Sequence, residues 1–200
     1  MIYTLFPNLN FVPFKAVCNR KYTATLQKLT TKEILEQNLE RTIPGHLNTL
    51  KILLHNVRSM HNVGAAFRSA DAFGIDEILI SGYTPTPPRP EIAKTAIGAQ
   101  KHVDWQQVEH PPKQIEALKK KGYRFVGLEQ TTDSILLPDY PMPEGQDICL
   151  VFGNEVTGVD ENILSYIDDF VEIPQYGHKH SLNVSVTVGV ALYGFLVKYW

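Results

Sequence analysis

The 200-residue sequence lacks the features that define several common protein classes. Its two cysteines, Cys18 and Cys149, lie far apart and have no CxxC spacing, which argues against a disulfide framework and against a cysteine-rich zinc site. No uninterrupted apolar run reaches the roughly 18 residues of a membrane span, and the N-terminal segment lacks the basic stretch of a secretory signal. We therefore expect a soluble, cytoplasmic protein without a membrane partner.

Three glycine-based ligand motifs are also missing. No GxGxxG follows a candidate strand, so a Rossmann dinucleotide site loses its main support. Gly153 and Gly158 have the glycine spacing of a P-loop, but Val159 and Asp160 stand where Lys and Ser or Thr are required. A GxSxG elbow is absent as well, so a Rossmann dinucleotide enzyme, a Rossmann-type methyltransferase, an NTP hydrolase and an α/β-hydrolase are all disfavoured.

Positive charge is scarce overall but concentrated at one end. The sequence has 19 Lys and Arg against 21 Asp and Glu, a net charge of −2 that does not by itself indicate nucleic-acid binding. Residues 1–32 hold five bases and no acid (+5), whereas the remainder holds 14 bases and 21 acids (−7). This basic arm is explained either by tracking of phosphates or by a passive tail or acid-poor targeting segment.

Strand and helix patterns alternate along most of the chain. Strands are predicted in the apolar runs that begin at residues 50, 76, 103, 123, 147 and 169, and helices at 63–73, 91–97, 112–121, 160–166 and 182–198. This alternation predicts an α/β fold with a mostly parallel sheet and flanking helices. We expect a basic arm and helical lead-in over 1–48 and one domain over 49–200.

Two segments carry local signals of their own. Thr30 and Glu33 have the spacing of a capping box and predict the start of the helical lead-in. The proline-rich stretch at 84–90 continues neither a helix nor a strand, because each proline removes a donor and fixes φ. It is predicted to form a loop over an edge or a cleft.

Polar residues interrupt the apolar pattern in three clusters, the first two of which are Asn62–Gly74 and Cys149–Gly158. In the first cluster, Arg68 either pairs with a structural carboxylate or points into a site. In the second, Glu155 follows a very apolar strand, which is a ligand-binding position in a parallel sheet. A tight turn with a left-handed Asn154, in which Glu155 caps the next helix, explains that segment equally well.

The third cluster, Glu172–Phe195, leads from a strand into a long helix. Ser181 is a candidate N-cap, and Asn183 and Ser185 fall in a first turn whose free N–H groups favour an anionic group. The apolar face that follows packs either in the core or across a dimer. His178 and His180 have the spacing of a zinc pair, but no third ligand is near in sequence, which favours a solvated loop.

In this order and at these strand ends, the clusters resemble the three motifs of the SpoU (TrmH) family of RNA 2′-O-ribose methyltransferases, within the SPOUT superfamily. The resemblance spans roughly residues 50–198. Its motifs are Asn62-x-Gly64-Ala65-x-x-Arg68-Ser69-Ala70, Gly153-Asn154-Glu155-x-x-Gly158, and Ile173-Pro174-x-x-Gly177 with Ser181-Leu182-Asn183-Val184-Ser185. It implies a deep trefoil knot near the C-terminus, the cofactor S-adenosyl-L-methionine, and a homodimer whose active sites draw residues from both subunits.

The resemblance also implies residue roles. Arg68 would activate the ribose hydroxyl, either as a general base or through its charge, and the catalytic set also contains Asn62, Glu155, Ser181 and Asn183. The implied cofactor-binding residues are Leu128, Glu129, Thr131, Gly153, Asn154, Ile173, Gly177 and Leu182. No metal is implied, because the sulfonium of the cofactor supplies the leaving group.

The substrate is expected to be RNA, and tRNA is favoured over rRNA. About 48 residues precede the resembling region, fewer than a typical separate RNA-binding domain contains. Two rivals stay open. One is a catalytically silent, knotted RNA-binding protein, against which the intact polar set argues. The other is an enzyme that uses the same cofactor on a non-RNA substrate, which the acidic body leaves possible.

Overall fold

A computed structural model of the chain describes residues 27–43, 48–142 and 145–199. The chain divides into two units, residues 1–42 and 43–200. In the first unit, helix α1 (Thr31–Glu40) begins with the predicted capping box. Thr30 Oγ1 accepts the Glu33 N–H at 3.3 Å, and the Glu33 carboxylate accepts the Thr30 N–H at 2.7 Å. Most of the predicted basic arm lies outside the described residues.

The second unit is built on a seven-stranded sheet in which every neighbouring pair of strands is parallel. The strands are β1 (Lys51–His55), β2 (Glu77–Ser81), β3 (Asp104–Val108), β4 (Arg124–Leu128), β5 (Ile135–Leu136), β6 (Ile148–Phe152) and β7 (Asp169–Glu172). Their order is β3-β2-β1-β6-β4-β7-β5. All six predicted strands are present, and the two-residue β5 is an addition that no sequence pattern indicated.

Helices cover both faces of the sheet. They are α2 (Met60–Phe73), α3 (Pro90–Ala96), α4 (Pro111–Lys119), α5 (Glu161–Leu164) and α6 (Val184–Tyr199). Helix α2 starts three residues earlier than predicted, because Ser59 Oγ accepts the Asn62 N–H at 3.3 Å and caps the helix there. Among the described helices, none combines the length and apolarity that a bilayer span requires.

The core forms two layers because alternate strand residues point to opposite faces. Helices α2, α3 and α6 pack on one layer, and α4 and α5 pack on the other. The central strand β6 is buried at all five positions, as expected for a parallel strand covered on both faces. The predicted apolar face of α6 lies in the core, where Val188, Ala191, Leu192 and Phe195 are fully buried.

The sheet order brings four strand ends together at one edge. Strands β1, β6, β4 and β7 are consecutive neighbours, so the loops after their carboxyl ends meet in one region. Open parallel sheets bind ligands outside such ends, near the point where the strand order changes direction. The deep trefoil knot implied by the resemblance stays a prediction.

Candidate functional site

A cavity of about 350 Å³ opens where β4, β6 and β7 end. Its volume lies within the range of about 300–1,000 Å³ that is typical of small-molecule sites. Six of the eight predicted cofactor-binding residues line it: Leu128, Glu129, Gly153, Asn154, Ile173 and Leu182. Two predicted catalytic residues, Glu155 and Ser181, line it as well.

Two predicted cofactor residues do not line this cavity. Thr131 belongs to a local turn in which its carbonyl accepts the Ser134 hydroxyl at 3.0 Å, and Gly177 lies on an exposed loop. Conversely, the cavity is also lined by residues that the sequence did not assign to cofactor binding, among them Phe152, Glu172, Gln175, Val184 and Thr187. Most of them are next to a predicted site residue in the sequence or follow one by a helical turn. Their nearness in sequence to predicted site residues was the signal that could have found them.

The cavity is acidic. Three carboxylates, those of Glu129, Glu155 and Glu172, belong to its lining, and no Lys or Arg of the described residues joins them. Opposite charges attract strongly in a partly enclosed site, so the lining favours a cationic ligand group and disfavours a phosphate. This arrangement agrees with the missing P-loop and dinucleotide motifs.

A tight turn from Gly153 to Gly158 shapes one wall. Asn154 N donates to Gly158 O at 2.8 Å, and Gly158 N donates to Asn154 O at 3.0 Å. Gly158 takes the left-handed conformation, with φ of 71°, whereas Asn154 does not, so the alternative of a tight turn is present but without a left-handed Asn154. A Cβ at Gly153 would lie 2.2 Å from the Gly158 carbonyl, which explains why only glycine fits there.

Glu155 connects this turn to the start of helix α2. Its carboxylate accepts the Arg58 N–H at 2.9 Å, the Ser59 N–H at 3.0 Å and the Asn62 Nδ2 amide at 2.9 Å. Partial burial would raise the pKa of Glu155, but these hydrogen bonds outweigh it and lower the pKa below its ordinary value. Glu155 therefore binds, as an anion, the residues just before α2, whose N-cap is Ser59, and does not cap the next helix, α5, whose N-cap is Asp160.

Polar contacts with the residues after β1 and β2 also hold the turn. Asn154 Nδ2 donates to the backbone oxygen of Asn56 at 2.9 Å and to Tyr83 Oη at 2.8 Å. His55 Nδ1 lies 2.7 Å from Ser81 Oγ. Burial lowers the pKa of His55, and the charge of Asp160 opposes this only in part, so the imidazole is neutral near pH 7. Through Asn154 the turn is hydrogen-bonded to the residues after β1 and β2, and through Glu155 it is hydrogen-bonded to the start of α2.

The third cluster enters α6 differently from the prediction. Helix α6 begins at Val184, and Asn183 Oδ1 accepts the Ser185 N–H at 2.8 Å, so Asn183 occupies the capping position. The prediction of Ser181 as N-cap is wrong, and this side chain is instead exposed at the cavity wall. His178 and His180 are both exposed, and the His180 carbonyl accepts Gln130 Nε2 at 3.1 Å.

Arg68 lies outside the cavity. It lines a separate, shallow hollow together with Ser69 of α2 and Lys94 and Thr95 of α3. Its side chain is exposed, and no hydrogen bond or ion pair from the part of the chain that the structure describes reaches it. Within one chain, Asn62 therefore contacts Glu155, and Ser181 lies at the cavity wall. Arg68 lies apart from all three.

Comparisons with known proteins match most of this unit. The sequence model of the SpoU rRNA Methylase family matches residues 49–193. The chain is 31% identical over 163 residues to the 23S rRNA (guanosine-2'-O-)-methyltransferase RlmB of Vibrio cholerae, an alignment that covers 81% of this chain and 64% of that protein. It spans 56% to 64% of the length of the curated relatives with which it is 31% to 32% identical.

Two solved structures are similar throughout the fold. The TrmH/SpoU tRNA modifying enzyme of A. aeolicus has a TM-score of 0.69 and 27% identity, over 82% of this chain and 84% of that one. The SpoU methyltransferase AviRb of Streptomyces viridochromogenes, solved in complex with the cofactor AdoMet, has a TM-score of 0.68 and 25% identity, over 78% of this chain and 60% of that one.

Proposed function

The chain belongs to the SpoU rRNA Methylase family, and on that premise we propose that it transfers a methyl group from S-adenosylmethionine to a ribose 2′-hydroxyl of RNA. The observation that carries the proposal is the acidic cavity at the ends of β4, β6 and β7, which is joined to α2 through Glu155 and Asn62. The rival of a catalytically silent protein has no specific observation in its favour.

S-adenosylmethionine fits this cavity by charge and by chemistry. Its sulfonium is a cation, and Glu129, Glu155 and Glu172 make the lining negative without a competing Lys or Arg from the described residues. Leu128, Ile173 and Leu182 offer apolar surface to a purine ring. When bound, the cofactor supplies a methyl group whose carbon–sulfur bond breaks as a neutral thioether leaves.

The chain's own residues would prepare the ribose hydroxyl. A hydroxyl is a poor nucleophile at neutral pH, so the site must favour its oxyanion as the oxygen–methyl bond forms. We assign this to Arg68, whose guanidinium group acts electrostatically as a hydrogen-bond donor to the oxyanion while the hydroxyl proton passes to solvent. Asn62 and Glu155 hold the loops after β1 and β6 together, and Ser181 offers a hydroxyl at the cavity wall.

A homodimer would bring Arg68 to this cavity. Helix α6 is apolar on its outer side too, where Val186, Val190, Tyr193 and Val197 are each 39% to 55% exposed. These residues recur at helical spacing and form one stripe, as expected for a helix that packs against a second copy. In such a dimer Arg68 of one protomer completes the cavity of its partner, which explains its isolation in one chain.

We place tRNA ahead of rRNA as the substrate. The tRNA modifying enzyme of A. aeolicus matches this chain over 84% of its own length. The rRNA enzyme of Vibrio cholerae matches over 64% of its length. The 2′-O position is proposed because the latter protein is named for methylation at that oxygen.

A heterodimer of two inactive variants tests the shared site. We expect Arg68→Ala to keep cofactor affinity and lose methyl transfer by about 10²- to 10³-fold, the usual effect of removing one electrostatic stabiliser. Leu182→Arg places a cation in the cavity wall and should abolish cofactor binding. A heterodimer of the two, purified through different tags, retains one intact site and should recover about half of the wild-type rate.

The assay measures cofactor affinity by calorimetry and incorporation of labelled methyl groups into RNA. The two homodimers serve as controls for each variant alone. A heterodimer as inactive as its parents would mean that Arg68 and the cavity of the same chain act together, and the shared-site proposal would then fail. Full turnover by Arg68→Ala alone would remove Arg68 from the mechanism.

A further inference from the structure

A second cavity, of about 470 Å³, lies between the proline-rich loop and the outer strand β3. Pro87 and Pro88 of the loop and Trp105 of β3 belong to its lining, and Trp105 is half-buried. We call it the proline pocket. It is separate from the acidic cavity, because the two share no lining residue.

The charge of the proline pocket is opposite to that of the acidic cavity. Arg89 and Lys101 belong to its lining, and no Asp or Glu of the described residues does. Both cations are exposed, and no carboxylate in the part of the chain that the structure describes pairs with either of them. On a chain with an acidic body, two unpaired cations beside an aromatic, apolar hollow indicate an anionic ligand with a flat apolar part.

An unsatisfied polar group borders the same pocket. Gln100 is a lining residue, and its Oε1 is the one buried side-chain oxygen or nitrogen that lacks a hydrogen-bond partner among the described residues. Buried acceptors without a partner are rare, because leaving one unpaired is costly. A ligand N–H in the pocket would supply the partner that this acceptor lacks.

We propose that the proline pocket binds an unpaired nucleobase of the RNA substrate, a second RNA contact that rests on the proposed function. The base would stack on Trp105 and donate to Gln100, and its flanking phosphates would pair with Arg89 and Lys101. Stacking on an aromatic side chain beside cations is how proteins hold single-stranded nucleic acid without reading its sequence. The pocket therefore takes unpaired nucleotides and excludes a regular duplex, whose bases are stacked inside.

The position of the pocket suits this role. Helix α3 borders the proline pocket through Ile92 and Ala93 and borders the Arg68 hollow through Lys94 and Thr95. A seven-residue helix spans only about 10 Å at 1.5 Å per residue. An RNA strand held at Arg68 can therefore place a nearby unpaired base in the pocket.

The tryptophan content allows a direct test. The chain contains two tryptophans, so Trp200→Phe leaves Trp105 as the single indole reporter in an otherwise unchanged chain. We expect a short single-stranded oligoribonucleotide to quench Trp105 fluorescence, and an abasic ribose-phosphate chain of equal length to leave it unchanged. Equal quenching by both chains, or quenching by neither, would overturn the proposal.

Substitutions separate stacking from charge. Trp105→Ala should weaken binding of the oligoribonucleotide by about tenfold, and Trp105→Phe should restore most of the affinity. Arg89→Ala with Lys101→Ala should lower the salt dependence of log Kd by about 0.7 for each phosphate that the protein no longer neutralises. The matched pair Lys113→Ala with Lys121→Ala, exposed cations at either end of α4, should leave the slope unchanged.

Since Trp105→Ala could also perturb the fold, its circular dichroism and thermal midpoint are compared with the wild type. Arg89 and Lys101 are exposed, so their substitution tests the proline pocket without disturbing the packing of the core. Methyl transfer to RNA is measured in parallel. If the protein methylates RNA but neither Trp105→Ala nor Arg89→Ala with Lys101→Ala changes oligoribonucleotide binding, the proline pocket is overturned and the proposed function stands. Quenching by the oligoribonucleotide without methylation of any RNA would overturn the proposed function and leave the pocket as an RNA site.

Discussion

The Glu155 carboxylate joins the second motif to the first by three hydrogen bonds, two of which come from backbone N–H groups at the start of α2. An anion there complements both the unpaired N–H groups and the positive end of the helix. Because its pKa is lowered on folding, Glu155 stabilises the fold while it is ionised. The stabilisation is present above the ordinary pKa of about 4.3 and is lost as the pH falls through the lower folded value.

We predict that Glu155→Gln lowers the free energy of unfolding by about 0.5–1 kcal/mol at pH 7, the lower range for a cap because the side chain is exposed. The difference from the wild type should shrink as the pH falls below the ordinary glutamate pKa, since the wild-type carboxyl is then neutral too. Urea denaturation of both proteins at descending pH measures this. A difference that stays constant with pH would show that charge is not the cause.

The sequence predicted the contacts of some single residues correctly and those of others wrongly, because residue type alone does not fix the position where a helix starts. The resemblance put Asn62 of the first cluster and Glu155 of the second in one catalytic set, and the structure joins their side chains by a 2.9 Å hydrogen bond. Ser181 was the candidate N-cap in the sequence, yet Asn183 is the residue that caps α6. Ser and Asn have nearly equal capping preferences, so residue type could not choose between helix starts two positions apart.

Helices α2 and α3 cross at Gly64. A Cβ added there would lie 2.1 Å from Thr95 Oγ1 and 2.3 Å from the backbone oxygen of Ile92, so the two helices are in contact through this glycine. The contact sets the spacing between Arg68 on α2 and Lys94 on α3, which line the same hollow. Gly189 of α6 offers a contrast, because a Cβ there would meet Ser69 Oγ at an ordinary 3.6 Å.

We predict that Gly64→Ala destabilises the protein by about 1–3 kcal/mol, the cost of overpacking a close helix crossing. Gly189→Ala should be neutral or stabilise the protomer by up to about 1 kcal/mol, because alanine is the better helix former. Both values come from chemical denaturation of the two variants beside the wild type. Equal stability of the two variants would contradict the close crossing.

The exposed apolar stripe of α6 is the proposed dimer interface, so a charged side chain within it should separate the protomers. We predict that Val190→Asp converts a dimer into monomers and strongly reduces methyl transfer, because a buried unpaired carboxylate is costly at an interface. Leu164→Asp, an equally exposed apolar position on α5, should change neither. Sedimentation equilibrium decides, and a dimer that survives Val190→Asp would exclude this stripe as the interface.

Elements were predicted well where the hydrophobic pattern was strong. Buried strands such as β6 read as continuous apolar runs, and the core face of α6 recurs at helical spacing. Strand β5 escaped prediction because both of its residues are exposed and two residues show no period. Helix α5 is shorter than the predicted 160–166, since only four residues continue past the Asp160 cap before the chain turns.

For the whole molecule, the order of strands could not be derived from local pattern. Alternation of strands and helices predicts a parallel sheet, but the insertion of β6 between β1 and β4 depends on contacts between residues about 100 positions apart. That insertion places the turn after β6 beside the loop after β1 and so creates the site. The position of Arg68 outside the cavity could not be predicted from local pattern either, because the proposed site is completed only by a second protomer.

The most direct test of the account is a map of ribose 2′-O-methylation across total tRNA and rRNA, after incubation of unmodified RNA with S-adenosylmethionine and the purified protein. We predict methylation at a ribose 2′-oxygen of one or a few defined nucleotides, in tRNA first, and no methylation with Arg68→Ala. Methyl groups found only on bases, or no incorporation by a folded protein that binds the cofactor, would contradict it.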